Sequence, residues 1–250
     1  MTIAEKRVPR VHITSDLAQD AELELDERAR HYLTNVLRKA VGDQVRLFNG
    51  RDGEWLADFT EVGKRLASVR LMERLSEQAT PPDVLYCFAL LKHARQDYMA
   101  QKATELGAAV LQPIITERTI AQRVKTERLQ ANAVEAAEQC GVLWVPEVRA
   151  PVSLAVLLDA WEPGRTLVFC DEAAPVADPV AALKQASPGA IGIVVGPEGG
   201  FTDQERALLS GNDTAISISL GPRTLRADTA AIAALTLVQT VLGDWCAGVD

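Results

Sequence analysis

The chain has 250 residues, 48% of them hydrophobic and 24% charged, with a formal net charge of −8. That is an ordinary globular balance, with ample core for one large or two modest domains. No apolar run approaches the length of a bilayer span and residues 1–10 hold no apolar signal core, which excludes a helical membrane protein and makes the cytoplasm the expected address.

The first 75 or so residues read as short strands and turns. Val11–Ile13 and the alternating stretch Ala21–Leu25 are strand candidates, and Asp26 is placed to cap a short helix running to Leu37 with Arg38 and Lys39 near its end. Gln44–Phe48, Glu54–Phe59 and Leu66–Leu71 follow as strands, separated by turn chemistry at residues 49–53 and 61–64. Short strands at such spacing suggest a small barrel.

Residues 73–83, with Thr80-Pro81-Pro82, form the best boundary in the sequence. Beyond it strands and helices alternate, which predicts a parallel α/β sheet. The expected strands are Val84–Leu91, Val110–Ile115, Thr166–Cys170, Ile191–Val195 and Ala215–Leu220. The expected helices are Asp97–Leu106, Thr126–Cys140, Leu154–Trp161, one opened by a capping box of Thr202 and Glu205, and a last one from Asp228 to about Leu242. That last helix is apolar nearly all round, which predicts burial against several neighbours and invites a homodimer interface.

Charge is unevenly spread. Residues 1–75 carry 13 Lys/Arg and 13 Asp/Glu; residues 92–130 carry 7 against 4; residues 131–250 carry 6 against 15. A local basic strip on an acidic protein is compatible with RNA. Cys87, Cys140, Cys170 and Cys246 form no CxxC pair and the histidines are His12, His31 and His93, so no metal site is expected and buried, unpaired thiols are.

P-loop, GxGxxG, GxSxG and HExxH patterns are all absent. What remains is a set of strand-end loops: Phe169-Cys170-Asp171-Glu172, Gly196-Pro197-Glu198-Gly199-Gly200-Phe201 and Leu220 to Ala230. In a parallel sheet such ends converge on the ligand crevice, and loops of bare backbone suit an uncharged adenine-type ring better than a phosphate.

Val195 to Phe201, followed by Ser219-Leu220-Gly221-Pro222-Arg223-Thr224-Leu225-Arg226-Ala227-Asp228-Thr229-Ala230, resembles the family of ribosomal small-subunit RNA methyltransferases that act on a uridine at ring nitrogen 3, within the SPOUT superfamily. Further matches run in order along the chain: Pro9-Arg10, His31 with Val36-Leu37-Arg38, Leu47 to Gly50, Gln101 to Gly107, Thr116-Glu117-Arg118, and Glu138 to Gly141 with Val145-Pro146-Glu147. The resemblance implies a PUA-like β-barrel over residues 1–75 and, over residues 82–250, a SPOUT domain ending in a trefoil knot. It also implies S-adenosylmethionine as cofactor, ribosomal RNA or the small subunit as partner, and a homodimer.

By the same resemblance the cofactor loops fall on Phe169, Cys170 and Asp171, on Gly196, Pro197, Glu198, Gly199 and Gly200, and on Leu220, Gly221, Leu225, Arg226 and Ala230. A neutral uracil imide is a poor nucleophile, so a carboxylate base or a cation that stabilises the uracil anion can help; Arg226 and Asp228 are the candidates for one of each, with Glu198 a further candidate against a capping or loop-bracing role. The plainer reading has Asp228 capping the last helix and Arg226 pairing with it. Arg10, Arg38, Lys92, Lys102 and Arg118 are the expected RNA-backbone contacts, each against the alternative of a solvated charge, with Glu105 a ready partner for Lys102. Val142, Leu143 and Trp144 stand where the family carries arginines, which weakens the RNA grip expected there. A ribose 2′-O-methyltransferase and a non-catalytic RNA-binding or ribosome-assembly protein of the same fold are the competing functions.

Overall fold

The computed structural model describes residues 8–91, 93–120, 123–174, 178–187 and 189–246. Lys92, one of the expected RNA contacts, lies outside them. The chain divides into two compact units, one of residues 1–80 with 137–145 and one of residues 81–136 with 146–250.

The first unit is built on a five-stranded sheet in the order β1-β3-β4-β5-β2. Its strands are β1 (Arg10–His12), β2 (Glu22–Glu24), β3 (Gln44–Phe48), β4 (Glu54–Val62) and β5 (Ala67–Ser76). The β1–β3 pair is parallel and the others are antiparallel. Alternation sends Val45, Leu47, Ala57, Phe59, Val69 and Leu71 into one core. Asp26 caps α1 (Glu27–Arg30) by accepting from the Ala29 N–H, and a wider turn, His31–Val36, continues the helix, so Leu33 reaches the same core. At the β3–β4 turn the Asn49 side chain accepts from the Arg51 and Asp52 N–H groups. Gly53, at φ +82°, is required there: a Cβ would stand 2.1 Å from the Ser76 carbonyl.

The sequence reading did not anticipate that 137–145 joins this unit. The segment is tied in by Arg10, which is 7% exposed. Its guanidinium pairs with Glu54 at 2.5 Å, donates to the Ala137 and Val142 carbonyls, and lies 3.7 Å over the Phe48 ring. Glu138 likewise accepts from the His12 N–H and from Arg28, both at 2.9 Å. Burial is the main reason that the Arg10 guanidinium and the His12 imidazole both have lowered pKa values, the latter helped by Arg28.

The second unit is a seven-stranded, wholly parallel sheet in the order β12-β10-β11-β6-β7-β8, with β9 also on β7. The strands are β6 (Val84–Ala89), β7 (Val110–Ile115), β8 (Glu147–Val148), β9 (Val152–Ser153), β10 (Thr166–Cys170), β11 (Ile191–Val195) and β12 (Ala215–Ile218). Helices α2 (His93–Glu105), α3 (Thr126–Cys140), α4 (Leu154–Asp159), α5 (Pro179–Leu183), α6 (Asp203–Ser210) and α7 (Ala227–Val241) complete it. β6 and β11 are buried at every residue, which is why they read as continuous apolar runs and not as alternation. Trp161 packs so closely on β11 that a Cβ at Gly192 would meet its ring at 2.2 Å. No helix among the described residues is long and apolar enough to cross a membrane.

Candidate functional site

Because β10, β11 and β12 are neighbours and parallel, their C-terminal ends deliver three loops to one place. The loops enclose a cavity of about 190 Å³ lined by residues 170–172, 195–198, 200–201, 218–225, 227 and 230. Its charged lining is Asp171, Glu172 and Glu198 against Arg223 alone.

The loop after β11 is shaped by its glycines and fixed from outside. Gly200 has φ +68° and its N–H turns back to the Pro197 carbonyl at 2.9 Å; a Cβ there would stand 2.3 Å from a Glu172 carboxylate oxygen. A Cβ on Gly196 would press on the Phe201 ring at 3.1 Å. Thr202 opens α6 with the expected capping box: Glu205 accepts from the Thr202 N–H at 2.9 Å and donates its own N–H to the Thr202 hydroxyl at 3.3 Å. The other Glu205 carboxylate oxygen accepts the Glu117 N–H at 2.8 Å. Glu205 is only 5% exposed, so this buried carboxylate is stabilised by three backbone and side-chain donors while stitching the β7 exit to the β11 exit. Arg118 adds a second stitch by donating to the Gly199 carbonyl at 2.7 Å.

The other two walls are plainer. Ser219 Oγ accepts the Gly221 N–H at 3.4 Å, and Gly221 has φ +102°. Asp171 donates its N–H to the Ile218 carbonyl at 3.1 Å, joining the β10 and β12 exits. The Cys170 thiol in this wall is pushed up to about 12 by burial, so it stands there neutral.

Of the expected cofactor residues, Cys170, Asp171, Gly196, Pro197, Glu198, Gly200, Leu220, Gly221, Leu225 and Ala230 line the cavity. Phe169, Gly199 and Arg226 do not. Phe169 is 1% exposed in the core behind the cavity, and Gly199 faces Arg118. Arg226 and Asp228 sit at the start of α7, where Asp228 does accept a first-turn N–H as the plainer reading expects, but Arg226 does not pair with it. Arg226 is the N-cap residue, with no side-chain cap bond. Among the described residues the Asp228 carboxylate accepts from the adjacent Thr229 N–H at 3.0 Å and approaches a different arginine, Arg95, at 3.9 Å. The Arg226 side chain is exposed and has no hydrogen bond or ion pair among the described residues.

The expected RNA contacts fare unevenly. Arg10 is corrected: with every guanidinium nitrogen engaged inside the first unit and almost no exposed surface, it has nothing to offer a phosphate. The Lys102 ammonium is held by Glu105 at 2.7 Å. Arg118 is exposed but commits one nitrogen to the β11 loop. Arg38 is exposed in the left-handed region at φ +57°.

Arg95 is the residue that the sequence reading missed. It lies in the first turn of α2, just past the C-terminal end of β6, and pairs with Glu198 at 2.9 Å. Its position after a central strand was the available signal, since the other site residues all sit at strand exits. Glu172, Phe201, Arg223 and Thr224, named in the sequence only as parts of the strand-end loops, also line the cavity.

Over residues 78–239 the sequence matches the family model of the RNA methyltransferase domain, and over residues 25–72 that of the RNA methyltransferase PUA domain. It is 36% identical to the ribosomal RNA small subunit methyltransferase E of Rickettsia conorii, over 95% of this chain and 97% of that one. It is 35% identical to the protein of the same name from Synechocystis, over 89% and 74%. In structure it is similar to the ribosomal RNA small subunit methyltransferase E of Neisseria gonorrhoeae bound to S-adenosyl methionine, with a TM-score of 0.86 at 28% identity over 94% of this chain and 98% of that one. A methyltransferase of Legionella pneumophila in complex with the cofactor SAM gives a TM-score of 0.81 at 31% identity, over 95% and 99%.

Proposed function

The chain belongs to the RNA methyltransferase family that contains ribosomal RNA small subunit methyltransferase E, and from that premise we propose that it methylates a uridine at N3 in small-subunit (16S) ribosomal RNA with S-adenosylmethionine as donor. The observation that carries the reading is the make-up of the cavity: bare backbone from three strand exits, with three carboxylates and one guanidinium. That lining suits a neutral purine beside a cationic sulfonium and amine, and it repels a phosphate-bearing nucleotide. The residues therefore fit the cofactor. Cys170, Asp171, Gly196 to Glu198, Gly200, Leu220, Gly221, Leu225 and Ala230 would hold it, with Phe169 and Gly199 supporting the walls from behind.

When bound, the cofactor would supply an electrophilic methyl group, with its sulfonium as the leaving group, to the uracil N3 lone pair. The chain's task is alignment and the handling of one proton. Asp228 accepts the proton that leaves N3, and Arg226, exposed and unpaired among the described residues, stabilises the charge that develops on the uracil carbonyls. Glu205 and Arg118 keep the β11 loop in place while this happens, so that its geometry is set before substrate arrives.

In the same reading, residues 1–75 form the RNA-gripping PUA-like module and residues 82–250 the catalytic one. Arg38, Arg118 and Lys92 meet RNA phosphate. Helix α7 leaves Ile232 and Leu237 half-buried at the two edges of its outer face, and in this reading a second copy covers that face in a homodimer. A ribosomal substrate places the work in the cytoplasm.

Titration calorimetry tests the cofactor reading. S-adenosylmethionine is expected to bind with a Kd of about 1–100 μM, in the ordinary range for enzyme ligands, and ATP at least about 100-fold more weakly. Equal affinity for ATP, or no heat with S-adenosylmethionine, overturns it.

A further inference from the structure

Arg95 is a cation shared by two carboxylates that come from different elements. Its NH1 donates to Glu198 Oε1 at 2.9 Å, and its Nε stands 3.9 Å from Asp228 Oδ2. Glu198 belongs to the cavity wall after β11, Asp228 to the first turn of α7, and Arg95 to the first turn of α2. The side chains are 31% (Arg95), 42% (Glu198) and 22% (Asp228) exposed, so the cluster is partly shielded yet open to an incoming base.

The contacts differ in kind. At 2.9 Å the Glu198 pair is a charge-assisted hydrogen bond; at 3.9 Å the Asp228 pair is attraction without a bond. Without the guanidinium, both carboxylates would lose the cation that they share. A planar guanidinium meets both through separate nitrogens, which a lysine ammonium does less well.

A polar group in the core of the same unit is unmatched. The Tyr86 hydroxyl in β6 is fully buried and has no hydrogen-bond partner among the described residues. Burial is the main cause of its raised pKa.

We propose that Arg95 is the positioning residue of the methyl-acceptor site: it holds Glu198 and Asp228 together, so that Asp228 presents its carboxylate to the incoming base in one place. Arg95 acts through Asp228 and does not touch the cofactor. The inference rests on the methyltransferase reading, and two of its consequences do not depend on turnover. The β11 loop and the start of α7 should be stiffened jointly by Arg95, and Arg95 should be dispensable for cofactor affinity.

The test compares wild type with Arg95→Gln, Arg95→Lys, Asp228→Asn and the double variant Arg95→Gln/Asp228→Asn. Hydrogen exchange, cofactor calorimetry and single-turnover methyl transfer to small ribosomal subunits are read on each. Arg95→Gln should speed amide exchange in residues 196–201 and 227–230 by about tenfold, because a local closing contact is lost. It should leave the S-adenosylmethionine Kd within about threefold and slow methyl transfer by about 100-fold, the low end for a displaced general base. Arg95→Lys should recover part of the rate, and the double variant should be no slower than Asp228→Asn alone. Additive rate losses, unchanged exchange in both segments, or cofactor affinity lost in step with rate would each overturn the proposal. If wild type transfers no methyl group, the function reading fails, and hydrogen exchange with calorimetry still decides whether Arg95 is the brace.

Discussion

Arg10 and Arg226 show how differently the two units use the same side chain. Arg10 begins a strand, is 3% exposed in its side chain, and spends its guanidinium on Glu54, two carbonyls and the face of Phe48. Arg226 also sits in extended backbone at an element's start, yet it is exposed and unpaired among the described residues. One arginine closes a core and the other is left free beside a cavity. An arginine's role is set by whether the fold brings acceptors to it, and residue type alone does not reveal that.

The contrast is sharpest under substitution. Arg10→Ala removes the 2.5 Å partner of buried Glu54 and leaves it Arg46 at 3.1 Å, so the loss should approach but not exceed the about 3–5 kcal/mol of a fully broken buried pair. Chemical denaturation should show that loss, with residual activity per folded molecule kept at low temperature. Arg226→Ala should show the mirror image. Its stability should stay within about 0.5 kcal/mol, as for an exposed side chain without partners. Methyl transfer should fall by about 100- to 1,000-fold, as when a donor that stabilises developing charge is removed. If Arg226→Ala loses cofactor binding and rate together, Arg226 belongs to the pocket and the contrast is drawn in the wrong terms.

A smaller effect separates the shape of the cavity from its charge. Gly200→Ala adds a Cβ at φ +68°, 2.3 Å from Glu172. It should weaken cofactor binding by about 10- to 100-fold, corresponding to about 1–3 kcal/mol of strain placed in the loop. Gly192→Ala meets Trp161 at 2.2 Å behind the same strand, so its cost should appear in melting more than in calorimetry. If both variants lose affinity equally, the loop is not the binding element.

The smallest effect concerns the thiol in the wall. With its pKa pushed up to about 12, Cys170 remains protonated through neutral pH, and thiolate-directed alkylation needs the deprotonated form. At about pH 8 iodoacetamide should therefore label the exposed Cys140 first, and Cys170 should gain reactivity only as pH rises toward its own pKa. Fast labelling of Cys170 at neutral pH would mean that the wall is wetter than its packing shows.

Much of this architecture was legible because local signals and packing agreed. Gln44–Phe48, Val110–Ile115, Thr126–Cys140 and Thr166–Cys170 form the elements expected of them, and Thr202 with Glu205 closes the capping box read from spacing alone. The cavity walls were legible for a related reason: glycine-rich strand exits carry their backbone geometry in the sequence. What stayed hidden depends on long-range approach. Arg95 reaches Glu198 across 103 residues, and Glu205 reaches the Glu117 N–H across 88, with nothing in either neighbourhood to announce the partner. The role of 137–145 was hidden in another way. Val142 and Leu143 act through their carbonyls, which accept from Arg10 and Gln78, and a backbone acceptor leaves no trace in side-chain identity.

The central claim is tested most directly by incubating the protein with small ribosomal subunits and isotope-labelled S-adenosylmethionine, then digesting the RNA to nucleosides for mass spectrometry. The account predicts that label appears in 3-methyluridine and that Arg226→Ala abolishes most of it. Label found only in a ribose-methylated nucleoside, or none in RNA from a protein that binds the cofactor, would contradict it.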